Sequence, residues 1–269
     1  MPFREAIREI SNGFHRDDVK LNFRPEDPYL SYHDICLTRE DIDCLKNDWL
    51  TDNNISFWEE YLEHEKLSKQ SSSKIILLRP SMAFLLKSTN DPMSLRTALP
   101  DVRSASHIFL PINDCRNPAI PEGGSHWSLL VVGVRDRVAF HYDSLSPANY
   151  TEARMVVHKL EPLLGFQLRL SNIEDTPQQD NGSDCGVHVC WAMKHLLVRR
   201  LLAVEAEKEV NMSLGGKRVD ANGVRKEMLK VCEALRKKAS RSSQSPKKSS
   251  EGRTSPPRIG AEKENTAAD

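Results

Sequence analysis

From Thr38 onward the chain alternates two hydrophobic rhythms. In "TREDIDCLKNDWLTDNNISFWEEYLEHEKL" the apolar residues Ile42, Leu45, Trp49, Ile55, Trp58 and Leu62 recur at roughly helical spacing. The stretch opens with a Thr-x-x-Asp pattern of capping-box form, so it predicts two helices hinged near Trp49. "KIILLRP" predicts a short buried strand stopped by Pro80, and "SMAFLLKS" a helix after it. Three β-like runs follow, "SHIFLPIND", "HWSLLVVGV" and "RVAFHYDSL", the latter two joined by a tight "RDR" as a hairpin. "TEARMVVHKLEPLLG" has helical periodicity and stops at Gly165, and "FQLRLSNI" alternates as a strand. The segment from Cys185 to about Val204 is helix-compatible and nearly all apolar at its start, and a last amphipathic helix is expected over about Val224 to Arg236. A helical first half, a mainly antiparallel central sheet and a buried helix behind Cys185 define the class α+β.

Composition narrows the picture. Among 269 residues, 38 basic groups balance 38 acidic ones, so no global field draws the chain to nucleic acid, and neither nucleic acid nor membrane is expected as a partner. No apolar run approaches the roughly 20 residues a membrane helix needs, and the N-terminal stretch is charged throughout, so the compartment expected is cytoplasm or nucleus. The six cysteines are too thinly spread for a disulfide framework and read as reduced thiols. From Arg236 the chain is rich in Ser, Pro, Lys and Arg and holds one large aliphatic residue, Ile259; a disordered tail is expected there, with Ser245-Pro246 and Ser255-Pro256 as candidate phosphorylation sites. The resulting division is an N-terminal extension over 1–30, a catalytic domain over 31–238 and the tail over 239–269.

The chemistry-bearing stretch is "PQQDNGSDCGVHVCWAMKHLL", which sets Cys185 at the N-terminus of a predicted helix, where unpaired N–H groups and the macrodipole favour a thiolate. Gly186 beside it removes bulk where a substrate carbonyl would approach. Taken alone, a cysteine opening a buried helix is structural more often than catalytic, so partners decide. A nucleophile needs a base, an orienting group and an oxyanion donor. His126 opens the run "HWSLLVV" at a strand end. Asp143 ends the run paired with it, so the hairpin brings both to one end of the sheet. Gln179 lies six residues before Cys185, where its amide would join the Cys185 backbone N–H at a developing oxyanion. The bland alternatives are a rim histidine, a turn-capping aspartate and a solvated glutamine. A metal site drawn from Cys185, His188 and Cys190 lacks a second ligand pair, and no metal or cofactor is expected.

The order His, Asp, Gln, Cys within "GGSHWSLLVV", "FHYDSLSP" and "PQQDNGSDCG" resembles the ubiquitin-like-protein-specific cysteine proteases, the sentrin-specific protease family, and "WLTDNNISFWEEYL" is similar to that family's "WLND" element. The resemblance covers about Leu30 to Val204. It implies a papain-like fold with the catalytic elements permuted in chain order, its sheet packed by helices. It further implies Cys185 as nucleophile, His126 as base and acid, Asp143 as orienting group and Gln179 as oxyanion donor. Trp49 and Trp127 match the aromatics over the tunnel that admits a Gly-Gly tail, and Asp52 matches the acidic residue of the "WLND" element. "FLPINDCRNPAIPEGGSHWSLLVV" most resembles the small deneddylating member. The function this implies is a thiol isopeptidase that removes, and also processes, a ubiquitin-like modifier, the one carried by cullins before SUMO. Ser183 departs from the aromatic common before Asp-Cys-Gly, and "LLAVEAEKEVNMSLGGKRVDANG" matches nothing in the family. A desumoylating relative and a non-catalytic modifier-binding module stay open as alternatives.

Overall fold

The structure is a computed structural model and describes residues 24–70, 74–117, 119, 123–204, 210–242 and 256–260. Eight strands and six helices occur among them. β1 (Pro28–Tyr32) and β2 (Ile35–Thr38) form an antiparallel hairpin. The helices α1 (Arg39–Asn47) and α2 (Asp52–Glu65) follow, each opened by a capping box, Thr38 with Asp41 and Thr51 with Asn54. These boxes satisfy the orphan amides at both helix starts and set the break between them at Asp48 to Thr51, where the hinge near Trp49 was expected. β3 (Ile75–Leu77) leads into α3 (Pro80–Ser88), which has its proline at the first helical position.

β4 (His107–Asn113), β5 (Trp127–Gly133) and β6 (Val138–Tyr142) are the three runs expected as strands, paired antiparallel in sequence. α4 (Tyr150–Leu164) stops at Gly165, which takes φ 86, a left-handed C-cap that favours glycine. β7 (Arg169–Asn172) then returns parallel to β6, and β3 lies parallel to β4 at the opposite edge, giving the order β3-β4-β5-β6-β7. α5 (Cys185–Leu196) continues as a π-helical turn over Leu197–Leu201, and α6 (Ala221–Ser242) is the last helix.

The apolar runs in β4 and β5 are continuous because both faces of this sheet are covered. Successive residues of a strand point to opposite faces. Phe109, Leu129 and Val131 join Trp58, Val187, Val189 and Met228 on the side of α2, α5 and α6, while Ile108, Leu110, Leu130 and Val132 join Ala83, Leu86, Val156 and Leu160 on the side of α3 and α4. Helix α5, sandwiched behind β5, is thereby fixed with its N-terminus at the end of the sheet where β5 begins.

The structure departs from the sequence expectations at both ends. The hairpin β1–β2 is not marked by alternation, and it begins at Pro28, before the expected domain start. Helix α6 extends from Ala221 to Ser242, beyond the expected Arg236. Within the stretch expected to be disordered, β8 (Arg258–Ile259) lies parallel to β1, with Ser31 N–H donating to Pro257 O at 2.9 Å and His33 N–H to Ile259 O at 2.7 Å. An averaged composition hides this because a short strand needs only an open edge to pair with and one apolar anchor. β1 supplies the edge, and Ile259 packs against the core cluster. Residues 1–23, and Ser245, Pro246 and Ser255 of the two Ser-Pro motifs, lie outside the described residues. Among the described residues no helix is long and apolar enough to cross a membrane, and the six cysteines are all free.

Candidate active site

Cys185 is the first residue of α5 and is 2% exposed. Its partner comes from the start of β5. His126 precedes Trp127, and the imidazole places Nε2 2.6 Å from Asp143 Oδ1, just past the end of β6. Cys185 is near enough to the same ring to favour its charged form, so Cys185, His126 and Asp143 form one cluster. Burial works against charge on His126, but the hydrogen bonds and charges of Asp143 and Cys185 outweigh it and push the imidazole up to about 9. Burial would raise the Asp143 carboxyl, yet the hydrogen bonds from His126, Asn149 and Leu145 hold it below the usual carboxylate value. An imidazolium flanked by a carboxylate and a sulfur is the arrangement of an activated thiol.

Each member is held by groups that the sequence did not single out. Asn149, fully buried, donates its backbone N–H to Asp143 Oδ2 at 2.9 Å and its side-chain amide to the His126 carbonyl at 3.3 Å and to that of Ile112 at 3.1 Å. It thus ties acid and base to the same strand end. Asp114 accepts from the backbone N–H of Ser125 at 2.6 Å and of His126 at 3.1 Å, and from the Ser125 hydroxyl at 2.7 Å, which fixes the loop that delivers the histidine. Gly124 in that loop has φ 97, and a Cβ there would lie 2.1 Å from Asn113 Oδ1, so only glycine fits. Arg225 of α6 grips Asp184, the residue before Cys185, with Nε at 3.0 Å and Nη2 at 2.6 Å from Oδ1. Asp114 was visible in the "IND" run. Asn149 and Arg225 carry no local signal, because their partners are distant and are reached only through the fold.

Gln179 stands in the loop before α5. Its backbone N–H donates to Ser144 O at 2.9 Å, its side-chain carbonyl accepts from Ser144 Oγ at 2.7 Å, and its Nε2 donates to Asn181 O at 2.6 Å, which leaves one amide hydrogen uncommitted. Gln178 is fully engaged: its Nε2 donates to Asp143 O at 3.0 Å and Thr176 O at 2.9 Å, and its Oε1 accepts from Ser146 N–H at 3.1 Å. Gly186 has a different surrounding from the one expected. A Cβ there would meet Leu50 Cβ at 2.8 Å, so its missing side chain lets the Trp49–Leu50 segment lie directly on the start of α5.

Trp49, Asp52 and Trp127 all line one cleft of about 630 Å³, together with Leu50, Phe84 and His126. Trp49 is 44% exposed, a large aromatic left open beside the imidazole, whereas Trp127 is half-buried and also packs against the core. Four of the seven residues named from the sequence, Trp49, Asp52, His126 and Trp127, line this cleft; Asp143 meets His126, Cys185 opens α5, and Gln179 bonds Ser144, the residue after Asp143. The trio Cys185, His188 and Cys190, already set aside as a metal site for want of a second ligand pair, is engaged elsewhere: His188 Nδ1 faces Pro177 O at 3.2 Å, and Cys190 is buried, its carbonyl accepting from Trp58 Nε1.

A buried cysteine at a helix start, beside an imidazole that is itself held by a carboxylate, defines the machinery of the thiol hydrolases. The chain belongs to the Ulp1 protease family, whose C-terminal catalytic domain matches residues 48–228. It is 38% identical over 212 residues to NEDD8-specific protease 2 of Schizosaccharomyces pombe, covering 77% of this chain and 50% of that protein. It is 40% identical over 180 residues to NEDD8-specific protease 1 of the same yeast, covering 64% of this chain and 42% of that protein. The chain thus spans about half the length of these curated relatives. Among solved structures, the C-terminal Ulp1 protease domain in complex with Smt3, the yeast orthologue of SUMO, superposes with a TM-score of 0.57 at 19% identity, covering 78% of this chain and 89% of that one, which shows the fold.

Proposed function

We propose that the protein is a thiol isopeptidase that cleaves a ubiquitin-like modifier with a Gly-Gly C-terminus from lysine side chains and trims the modifier's precursor. The observation that carries this reading is the His126–Asp143 hydrogen bond with Cys185 beside the imidazole, next to an aromatic cleft. The Cys185 sulfur attacks the carbonyl carbon of the modifier's terminal glycine. Gln179 Nε2 and the Cys185 backbone N–H hold the oxyanion, and as the C–N bond breaks His126 gives its proton to the departing lysine amine. His126 then takes a proton from water, whose oxygen displaces the sulfur from the thioester and frees the modifier as a carboxylate. Trp49 and Trp127 form the walls that only a glycine tail clears, and Asp52 flanks them. NEDD8 is the modifier we assign, with cullin conjugates as substrates. The names of the two yeast relatives support this, as does the Asp114-anchored loop before His126.

The test is covalent capture by NEDD8, ubiquitin and SUMO, each carrying an electrophile in place of the terminal glycine carboxylate. The expected result is a NEDD8 adduct on Cys185, formed at least about ten-fold faster than the ubiquitin adduct, the scale of ~1.4 kcal/mol, with SUMO slower still and no adduct in Cys185→Ala. Fastest capture by SUMO would overturn the NEDD8 assignment while leaving the chemistry. Absence of any adduct would overturn the isopeptidase reading.

A further inference from the structure

Away from Cys185, one group of metal-competent side chains converges among the described residues: His33, Glu60 and His64, whose donor atoms all lie within 4.8 Å of one another. They come from two elements. His33 sits in the turn between β1 and β2, and Glu60 and His64 lie one turn apart on α2, the spacing that puts two side chains on one helix face. The two imidazole rings lie parallel, with centroids 3.4 Å apart. His64 Nε2 is 3.1 Å from Glu60 Oε1. Glu60 is 3% exposed, whereas the His64 side chain is 40% exposed, so a buried carboxylate forms the floor and an open imidazole the rim.

Two further observations point to a cation. The first is the way His33 is held. Its φ of 48 is a conformation few non-glycine residues adopt. Its backbone N–H donates to Ile259 O, and Gly260, itself at φ 97, comes so close that a Cβ would lie 2.6 Å from His33 Nδ1. The last described strand therefore presses this imidazole toward α2. The second is a charge imbalance. Glu59, Glu60 and Glu63 surround the single guanidinium of Arg79. Three carboxyl groups thus face one guanidinium.

We propose that His33, Glu60 and His64 bind one divalent cation of the zinc class, which clamps the β1–β2 turn to α2 and, through Ile259 and Gly260, secures the final strand. Two imidazoles and a carboxylate are donors this class accepts, with water in the fourth position. Metal–nitrogen bonds of about 2.0–2.1 Å require the donors to draw together. Parallel rings have parallel lone pairs, so one ring must turn. His64, on the open rim, is the ring free to do so.

The test uses the full chain, untagged and stripped with chelator, carrying Cys185→Ser so that the active-site sulfur does not itself take up metal. Zinc chloride is titrated by calorimetry and cobalt chloride by visible absorption. One equivalent of zinc should bind and raise the melting temperature, and cobalt should give the absorption of a low-coordinate site. His64→Ala should weaken binding at least about ten-fold, since even groups that only support a ligand cost 10–100-fold. His33→Asn, which keeps a residue tolerant of the left-handed turn, should do the same, while His158→Ala on α4 should not. Absence of a bound equivalent, or equal affinity in the parent and His64→Ala, would overturn the proposal.

Discussion

Arg225 of α6 and Asp184 at the threshold of α5 form a two-pronged contact, Nε at 3.0 Å and Nη2 at 2.6 Å from one carboxylate oxygen, and Asp184 is the residue that precedes Cys185. Arg225 also donates Nη1 to Cys44 O at 2.9 Å, so one buried guanidinium joins α1, α6 and the turn that presents the sulfur. Burial would raise the Asp184 carboxyl, but Arg225 and Asn181 hold it below its ordinary value.

Removing one member of such a buried pair strands the other. Arg225→Ala should therefore cost about 3–5 kcal/mol of stability, the typical cost of breaking a buried ion pair, and should lower kcat more than it raises KM because the cysteine turn loosens. Arg225→Lys keeps the charge and loses the fork, so it should recover part of the stability and less of kcat. Urea unfolding and steady-state kinetics on the same preparations check this, and a fully active Arg225→Ala would show that the turn holds itself.

The pH profile follows from His126. Its folded value, pushed up to about 9, lies above the ordinary 6.5. The imidazolium that must protonate the leaving amine is therefore kept through neutral pH, and kcat/KM should fall as pH rises through about 9. The stability this group contributes has the same sign: it is fully present below about 6.5 and is lost as pH rises through about 9. Asp143→Asn removes the main support, so the alkaline limb should move toward 6.5, with kcat falling by up to about 10⁴-fold as in other orienting-carboxylate replacements. An unmoved limb in that variant would assign it to another group.

The two neighbouring glutamines should behave differently. Gln179 has an amide hydrogen to spare, and Gln179→Ala should lower kcat about 10²–10³-fold with KM little changed, the usual cost of one oxyanion donor. Gln178 anchors the Asp143 carbonyl and the Ser146 amide. Gln178→Ala should lower the melting temperature and disturb the pH profile through Asp143, with a smaller loss of kcat. The reverse ranking would exchange the two roles.

The elements that were legible in the sequence are those whose signal is local. The capping box at Thr38, the proline opening α3, the glycine closing α4 and the β-runs each announce themselves within a few residues. Cys185, His126 and Asp143 were legible because a hairpin of known turn puts the last two at one sheet end and a polar-to-apolar switch marks the first. What stayed hidden depends on partners far along the chain. Among the described residues β8 pairs with β1, which pairs with β2 on its other side, Asn149 works through the Asp143 carboxylate and the carbonyls of Ile112 and His126, and Arg225 lies forty-one positions from Asp184. Gly186 was given to substrate approach because Leu50 is not its neighbour in sequence.

The C-terminal stretch separates these two kinds of information most clearly, and two truncations test it. Ending the chain after Ser242 keeps α6 whole but removes β8, uncovering Ser31 N–H and His33 N–H and losing Ile259 from the core margin. Two backbone bonds and one partly buried aliphatic side chain are worth on the order of 1–3 kcal/mol, so the melting temperature should drop by about 2–4 °C for each kcal/mol. Because β8 packs on β1 and α6 and α6 stays whole, kcat/KM measured well below that temperature should stay near the full-length value. Ending after Arg236 also removes Ala239, 1% exposed in the α6 seam, and frays the helix that carries Arg225. Stability should fall further and kcat should fall with it, through Asp184. Equal melting temperatures for the full chain and both truncations would show that neither β8 nor the last turns of α6 contribute to the fold.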